Sequence, residues 1–215
     1  MAATEDEAFD AIQAAQPELA FIDIELQTGT GFGLIDRLES SNLHVVFTTA
    51  LDQRAINLLR LSGVPYIQKP IDLDSLSRTL QVAGDHSGRV AQLEALSQLR
   101  ATLRNNRTPV SIHLPGCEQC SYVKLQDVVT IEACGKESRV WLQSGDAVLT
   151  TAELKDWDEL LRDFGFFRLH QHFMVNRWQV HEIPAGERDV IGMKNSKQVP
   201  VSPKKLAELR QFLAS

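Results

Sequence analysis

Residues 17–35 read PELAFIDIELQTGTGFGLI, and an apolar run over 19–22 stops at a single carboxylate, Asp23. A buried strand tolerates an acid only where it is paired, solvated at the strand end, or used. Ahead of this strand, Thr4 and Glu7 stand at capping-box spacing, Phe9 and Ile12 give a helical face, and Pro17 stops the helix. Behind it, helical patterns alternate with apolar runs: Leu34, Ile35 and Leu38; HVVFT at 44–48; Ala55, Ile56, Leu58 and Leu59; VPYIQ at 64–68; then Leu73, Leu76 and Leu80. Strict alternation predicts a parallel sheet covered on both faces. Ligands of such sheets collect beyond the carboxyl ends of the strands, where Asp23, Thr49 and Lys69 fall together.

The chain has 215 residues, enough for one large or two ordinary domains, and no stretch long enough to span a bilayer. Its start, MAATEDEAFD, lacks the basic and apolar regions of a signal peptide, so a cytoplasmic address and no membrane partner are expected. Three cysteines, an odd number, argue against a disulfide framework. The net charge of −6 is uneven: residues 1–109 carry 9 basic against 14 acidic side chains, and residues 110–215 carry 13 against 14. Within residues 184–215 the balance is 6 basic to 3 acidic, which allows a basic surface on an acidic protein.

Over 85–106 the composition turns polar and alanine-rich, with leucines at 93, 96, 99 and 103. The pattern predicts a linker helix, either self-associating or simply solvated. From Pro109 onward β-branched residues alternate with polar ones, with turn signals at Ser144-Gly145 and Asn195-Ser196, so the second half is expected to be mainly β. One helix is expected over 152–164, with Leu154, Leu160 and Leu161 inward, and a last one over 206–213. The domain boundaries read from the sequence are 1–84, a helical linker at 85–108, and 109–215.

The ordered set of strand-end Asp23, Thr49-Ala50, and Tyr66 three residues before Lys69-Pro70 resembles the receiver domain of bacterial response regulators over residues 4–83. The resemblance implies an α/β flavodoxin-like fold in which Asp23 is the phosphoacceptor. Thr49 would hydrogen-bond the phosphoryl group, Lys69 would pair with it, and Tyr66 would be the aromatic that changes rotamer. An aspartyl phosphate adds charge and acceptor oxygens that a hydroxyl and an ammonium can capture. Gly31 keeps the family's glycine, whereas Gln27 stands where proline is usual. The family's first strands and the acidic pair that helps hold Mg²⁺ have no counterpart, and Glu5, Asp6 and Glu7 lie ahead of the opening strand. The expectation is a receiver lacking its first strands, from a late start site or a fragment, with LAFIDI at 19–24 as a sheet edge and impaired phosphorylation.

FFRLHQHFMVN at 166–176, followed by VIGMKNSKQVPVSPKKL at 190–206, resembles the LytTR DNA-binding domain through Phe167, Arg168, His170, Val175 and Asn176. VKLQDVVTIEACGKESRVWLQSGD at 123–146 extends the likeness over 110–213. A receiver joined to this module is the LytR/AlgR type of response regulator. The resemblance implies an elongated mainly-β domain with a short helix, whose loops enter successive major grooves. Base-contacting positions then fall on Ser138, Gln171 and Lys204, with Lys136, Arg139, Arg168 and Lys205 beside phosphates. His170 reads first as a structural histidine hydrogen-bonding in its loop and second as a base contact, and Arg168 and Asn176 read either as site residues or as groups that only satisfy the backbone. Trp141, Trp157 and Trp178 read as packing residues. Cys117 and Cys120 have zinc or redox spacing but no second ligand pair, so no metal site is expected.

The leading function is a two-component transcriptional regulator, phosphorylated by a sensor histidine kinase, dimerising and binding promoter DNA. A protein-interaction module is the alternative. An enzyme is the least expected class, because no nucleophile–base pair or metal cluster stands at credible spacing.

Overall fold

Thr4 starts helix α1 (Glu5–Ala15) by accepting a hydrogen bond from the Glu7 amide through its hydroxyl, while the Glu7 carboxylate accepts from Ala3. The helix ends at Gln16 in the left-handed region, immediately before Pro17. The computed structural model describes residues 1–38, 43–50, 53–83, 86–106, 108–117, 122–183 and 190–214. They fall into two units, Met1–Val110 and Ser111–Ser215.

In the first unit β1 (Leu19–Asp23), β2 (His44–Thr49) and β3 (Tyr66–Gln68) form a parallel sheet in that order. Every residue of β2 is buried, as expected of a parallel strand covered on both faces. β1 has only Ile22 fully buried and leaves Phe21 44% exposed, because among the described residues it pairs on one side alone. Helices α2 (Gly31–Arg37), α3 (Gln53–Ser62) and α4 (Leu73–Ala83) follow the three strands. Thr30 caps α2 through the Gly33 amide. Gly31 is required because a Cβ there would lie 2.4 Å from the Asp23 carbonyl oxygen, so the helix can start hard against the end of β1.

The helix expected in the linker forms as α5 (His86–Arg104), and it is not a spacer. Ala95, Leu96 and Leu99 are buried in the core with Leu34, Ile35, Val45 and Leu59, while Leu93 is 50% exposed. Gln92, itself buried, donates from Nε2 to the Val45 carbonyl in β2. Arg100 donates to the carbonyls of Ile35 and Leu38, satisfying the end of α2, and Arg104 pairs with Asp36 at 2.9 Å.

The second unit is mainly β. β4 (Ser111–His113) and β5 (Tyr122–Lys124) form a hairpin pair. β6 (Val128–Cys134), β7 (Glu137–Leu142) and β8 (Ala147–Thr150) join β9 (Phe166–His170) and β10 (Phe173–Asn176) in one antiparallel sheet, ordered β8-β7-β6-β10-β9. Between β8 and β9, α6 (Leu154–Leu161) buries Leu154, Trp157, Leu160 and Leu161, and a short 3₁₀ turn completes the expected helix through Phe164. β11 (Val180–Glu182), β12 (Val190–Met193) and β13 (Gln198–Pro200) make a third sheet. The C-terminal α7 (Pro203–Ala214) buries Leu206 and Leu209 against a cluster containing Leu169, Ile191 and Val199.

Two sequence features in this unit prove structural. Asn176, fully buried, donates to the Val128 carbonyl at 2.8 Å and accepts from the Trp178 amide, filling the irregularity in the β6 ladder. Trp157 is core, at 1% exposure, but Trp178 is 58% exposed and packs against Gly165, where a Cβ would meet the ring at 2.2 Å.

Candidate functional site

The first site lies at the carboxyl end of the parallel sheet. Asp23 closes β1 opposite Thr48, and Lys69 follows β3, so the two side chains meet in an ion pair between Lys69 Nζ and Asp23 Oδ2. The other carboxylate oxygen accepts from the Glu25 amide at 3.4 Å. The Lys69 amide donates to the Thr49 carbonyl at 2.8 Å, which fixes the lysine backbone to the end of β2. Thr49 is buried, and Tyr66 is half-buried against the core. Asp23 and Lys69 therefore meet at the strand ends, and Thr49 is tied to Lys69 through its backbone carbonyl. A cleft of about 560 Å³ opens beside them along β1, lined by Asp23, Thr48, Lys69 and Glu25 and by Ala8 and Ile12 of α1.

The acids of α1 are engaged elsewhere. Glu5 accepts from the Thr30 amide at 3.1 Å and pairs with Arg37, which also holds Asp6 at 2.7 Å. These carboxylates fasten α1 to α2 and are not part of the Asp23 site. Hydrogen bonding to Asp6 pushes the Arg37 guanidinium further above its already high value.

The second site is built on the five-stranded sheet. Phe166–His170 and Phe173–Asn176 are separate strands, so Gln171 and His172 occupy an exposed turn between them. The Ala133 amide donates to the His172 carbonyl, which sets this turn beside the β6–β7 turn carrying Lys136. Arg168 donates to the Gln171 carbonyl at 3.2 Å, and His170 Nδ1 accepts from the His172 amide. His170 thus has the structural role weighed for it, with its ring 5.5 Å from that of His172. Lys205 shares a cleft with Arg168, His170 and Gln171, and Lys204 is exposed at the start of α7. Arg139 is exposed on β7.

Ser138 requires correction. It is fully buried in β7, between Ala133 of β6 and Thr150 of β8, and its hydroxyl has no hydrogen-bond partner. The strand alternation turns Ser138 to the same face as the buried Val140, so it cannot present itself to a nucleic acid in this conformation. Cys117 is half-buried and Cys120 lies outside the described residues, so the pair is not seen as a pair. Among the described residues no three His, Cys, Asp or Glu side chains gather as a metal site.

Sequence reasoning did not single out Arg162, Asp158 and Phe212, which complete the wall of the cleft beside Arg168. The signal was present in Asp158 of α6 and Arg162 at the start of the following 3₁₀ turn, four residues apart. A further cluster holds the third sheet to the large one. Lys197, in the β12–β13 turn, sits 3.7 Å over the Trp141 ring and 3.1 Å from Glu132, which also accepts from Trp141 Nε1 at 2.7 Å. Partial burial pushes the Glu132 pKa up, but the bonds from Trp141 and Lys197 and the charges of Lys197 and Arg139 outweigh it and hold the group below the ordinary glutamate value.

The chain thus joins a parallel α/β unit with an Asp–Lys pair at its strand ends to a mainly-β unit with exposed cationic side chains. Residues 1–81 match the response regulator receiver domain, and residues 118–214 match the LytTr DNA-binding domain. A response regulatory protein of Yersinia pestis is 30% identical over 215 residues, covering 96% of this chain and 83% of that protein. The sensory transduction protein LytT of Bacillus subtilis is 26% identical over 213 residues, covering 97% and 84%. The transcriptional regulatory protein BtsR of Salmonella typhi is 26% identical over 216 residues, covering 96% and 84%. A solved LytTr DNA-binding domain from Bacillus cereus aligns with 49% of this chain and 98% of its own, at 22% identity and a TM-score of 0.41. The chain belongs to the response regulators, with a receiver domain followed by a LytTR DNA-binding domain. No helix among the described residues is long and apolar enough to cross a membrane.

Proposed function

We propose that Asp23 accepts a phosphoryl group from a sensor histidine kinase, that Lys69 and Thr49 hold it, that Tyr66 follows the Thr49 loop, and that the second unit reads promoter DNA as a homodimer in the cytoplasm. Binding rather than catalysis is its task. The domains we assign are a receiver at 1–84, the helical segment 85–108, and the DNA-binding domain at 109–215. The observation that carries the reading is the meeting of Asp23 with Lys69 at the end of a sheet whose next strand delivers Thr49. On the second unit, support comes from the gathering of Arg168, His170, Gln171 and Lys205 about one cleft, with Lys204 exposed at the start of α7 and Lys136 in the turn next to Gln171. An amide such as Gln171 suits an adenine edge, and the ammonium groups suit phosphates or guanine. Exposed Leu73 and Leu80 on α4 support self-association.

Receiver domains generally use Mg²⁺, an ion that asks for six oxygen donors in near-octahedral array. The donor set here does not fit it. One oxygen of Asp23 already carries the Lys69 ammonium, and the other acid lining the cleft, Glu25, is exposed and meets Asp23 through its backbone. The charge of a phosphoryl group on Asp23 therefore rests on Lys69 and Thr49, and phosphorylation of this chain is weak. A salt-dependent fluorescence-anisotropy titration of the whole chain with a selected duplex and a scrambled one tests the DNA reading. Equal affinity for both duplexes at every salt concentration overturns it.

A further inference from the structure

The cleft that holds Arg168 in the second unit is larger than a contact to one phosphate needs. It is an open groove of about 800 Å³ between α6, β9 and α7. Phe167 and Phe212 supply an apolar wall, their rings 5.3 Å apart and inclined at 31°, while the neighbouring Phe166 is buried. Arg162 and Arg168 supply the charge, joined by Lys205, whose ammonium also pairs with Glu208 at 2.5 Å. The two guanidiniums share one carboxylate, Asp158, at 3.6 and 3.8 Å. Direct charge-assisted bonds run at about 2.7–2.9 Å, so these contacts are loose and leave donor capacity for an incoming anion. Lys205 lies 5.3 Å over the face of Phe167, which joins the cationic wall to the aromatic one. A phosphodiester would use the cations and leave the aromatic surface uncovered. A flat acid uses both.

We propose that this cleft binds a small aromatic organic anion, a carboxylate or phosphate on a ring, and that its binding releases the DNA-reading turn. The coupling rests on the reading of Gln171 as a base contact. Arg168, the guanidinium nearest the turn, is also the donor that holds the Gln171 carbonyl. An anion that draws Arg168 to itself removes that hydrogen bond, and the 171–172 turn loses one of its ties.

The test uses the full chain and two probes, phenyl phosphate and inorganic phosphate, in calorimetric titrations. Phenyl phosphate is expected to bind saturably and at least tenfold tighter than inorganic phosphate. Arg168→Gln and Arg162→Gln should each weaken it tenfold or more, and Lys194→Gln, outside the cleft, should not. Arg162 is 58% exposed, so its variant keeps the fold and serves as the second probe should Arg168→Gln fail to fold. Equal affinity for the two probes, or no binding, overturns the site and leaves it as a surface for DNA phosphate. In a parallel arm, duplex binding is followed by anisotropy with and without saturating phenyl phosphate. A tenfold loss for the selected duplex supports the coupling, and unchanged affinity with the probe bound overturns it. Failure to bind any duplex in the probe-free arm sinks the DNA reading instead, while calorimetry still decides the cleft.

Discussion

Asp23 carries its counter-charge on an ammonium. With acetyl phosphate, intact mass should show slow, partial addition of one phosphoryl group that is abolished by Asp23→Ala and changes little when Mg²⁺ is removed. Fast, complete, Mg²⁺-dependent modification would mean that a second carboxylate reaches the site. On the second unit, Gln171→Ala should cost roughly 1–3 kcal/mol at the selected duplex with little loss on scrambled DNA, while Lys204→Ala weakens both and lowers the salt slope by about 1. Anisotropy at several salt concentrations separates these outcomes. At this scale the strand-end residues were legible because parallel sheets put their ligands at one end, so order and spacing along the chain were enough. Ser138 was misread although its parity with Val140 in ESRVWL already turned it inward. A motif match carries a position across without carrying the face it lies on.

Between elements, the joins are made by polar side chains whose partners lie far away in sequence. Glu132, Trp141 and Lys197 connect the third sheet to the five-stranded one, and Glu132 and Lys197 are each at most a quarter exposed. Glu132→Gln should destabilise the second unit by roughly 1–3 kcal/mol at neutral pH, read by urea denaturation. Because the folded-state pKa of Glu132 lies below its ordinary value, its contribution is full above the ordinary glutamate range and is lost as pH falls through the folded value. The gap between wild type and variant should therefore close in acid, and a gap that stays constant would assign the effect to packing. In the first unit, Leu99→Ala should cost about 2–5 kcal/mol, since Leu99 is fully buried in the core. The leucine spacing of α5 was plain in the sequence, but its direction was not. Periodicity gives a stripe, and only the carbonyls of Val45, Ile35 and Leu38, to which Gln92 and Arg100 donate, reveal what the stripe covers.

For the whole molecule, the change of texture near Pro109 marks two units along the chain, and the structure separates Met1–Val110 from Ser111–Ser215. The net charge of −6 opposes DNA, so binding depends on how the cations of the second unit are placed. All three tryptophans, Trp141, Trp157 and Trp178, lie in that second unit, and each has a different setting: against an ammonium, in the core, and half open to water. Indole emission is thus blind to the receiver. Iodide should quench Trp178 and spare Trp157, and a denaturation followed by fluorescence should report the DNA-binding unit alone, while far-ultraviolet ellipticity, with five of the seven α-helices among the described residues lying in residues 1–110, weighs the receiver more heavily. Two optical channels therefore resolve the melting of the two halves without cutting the chain.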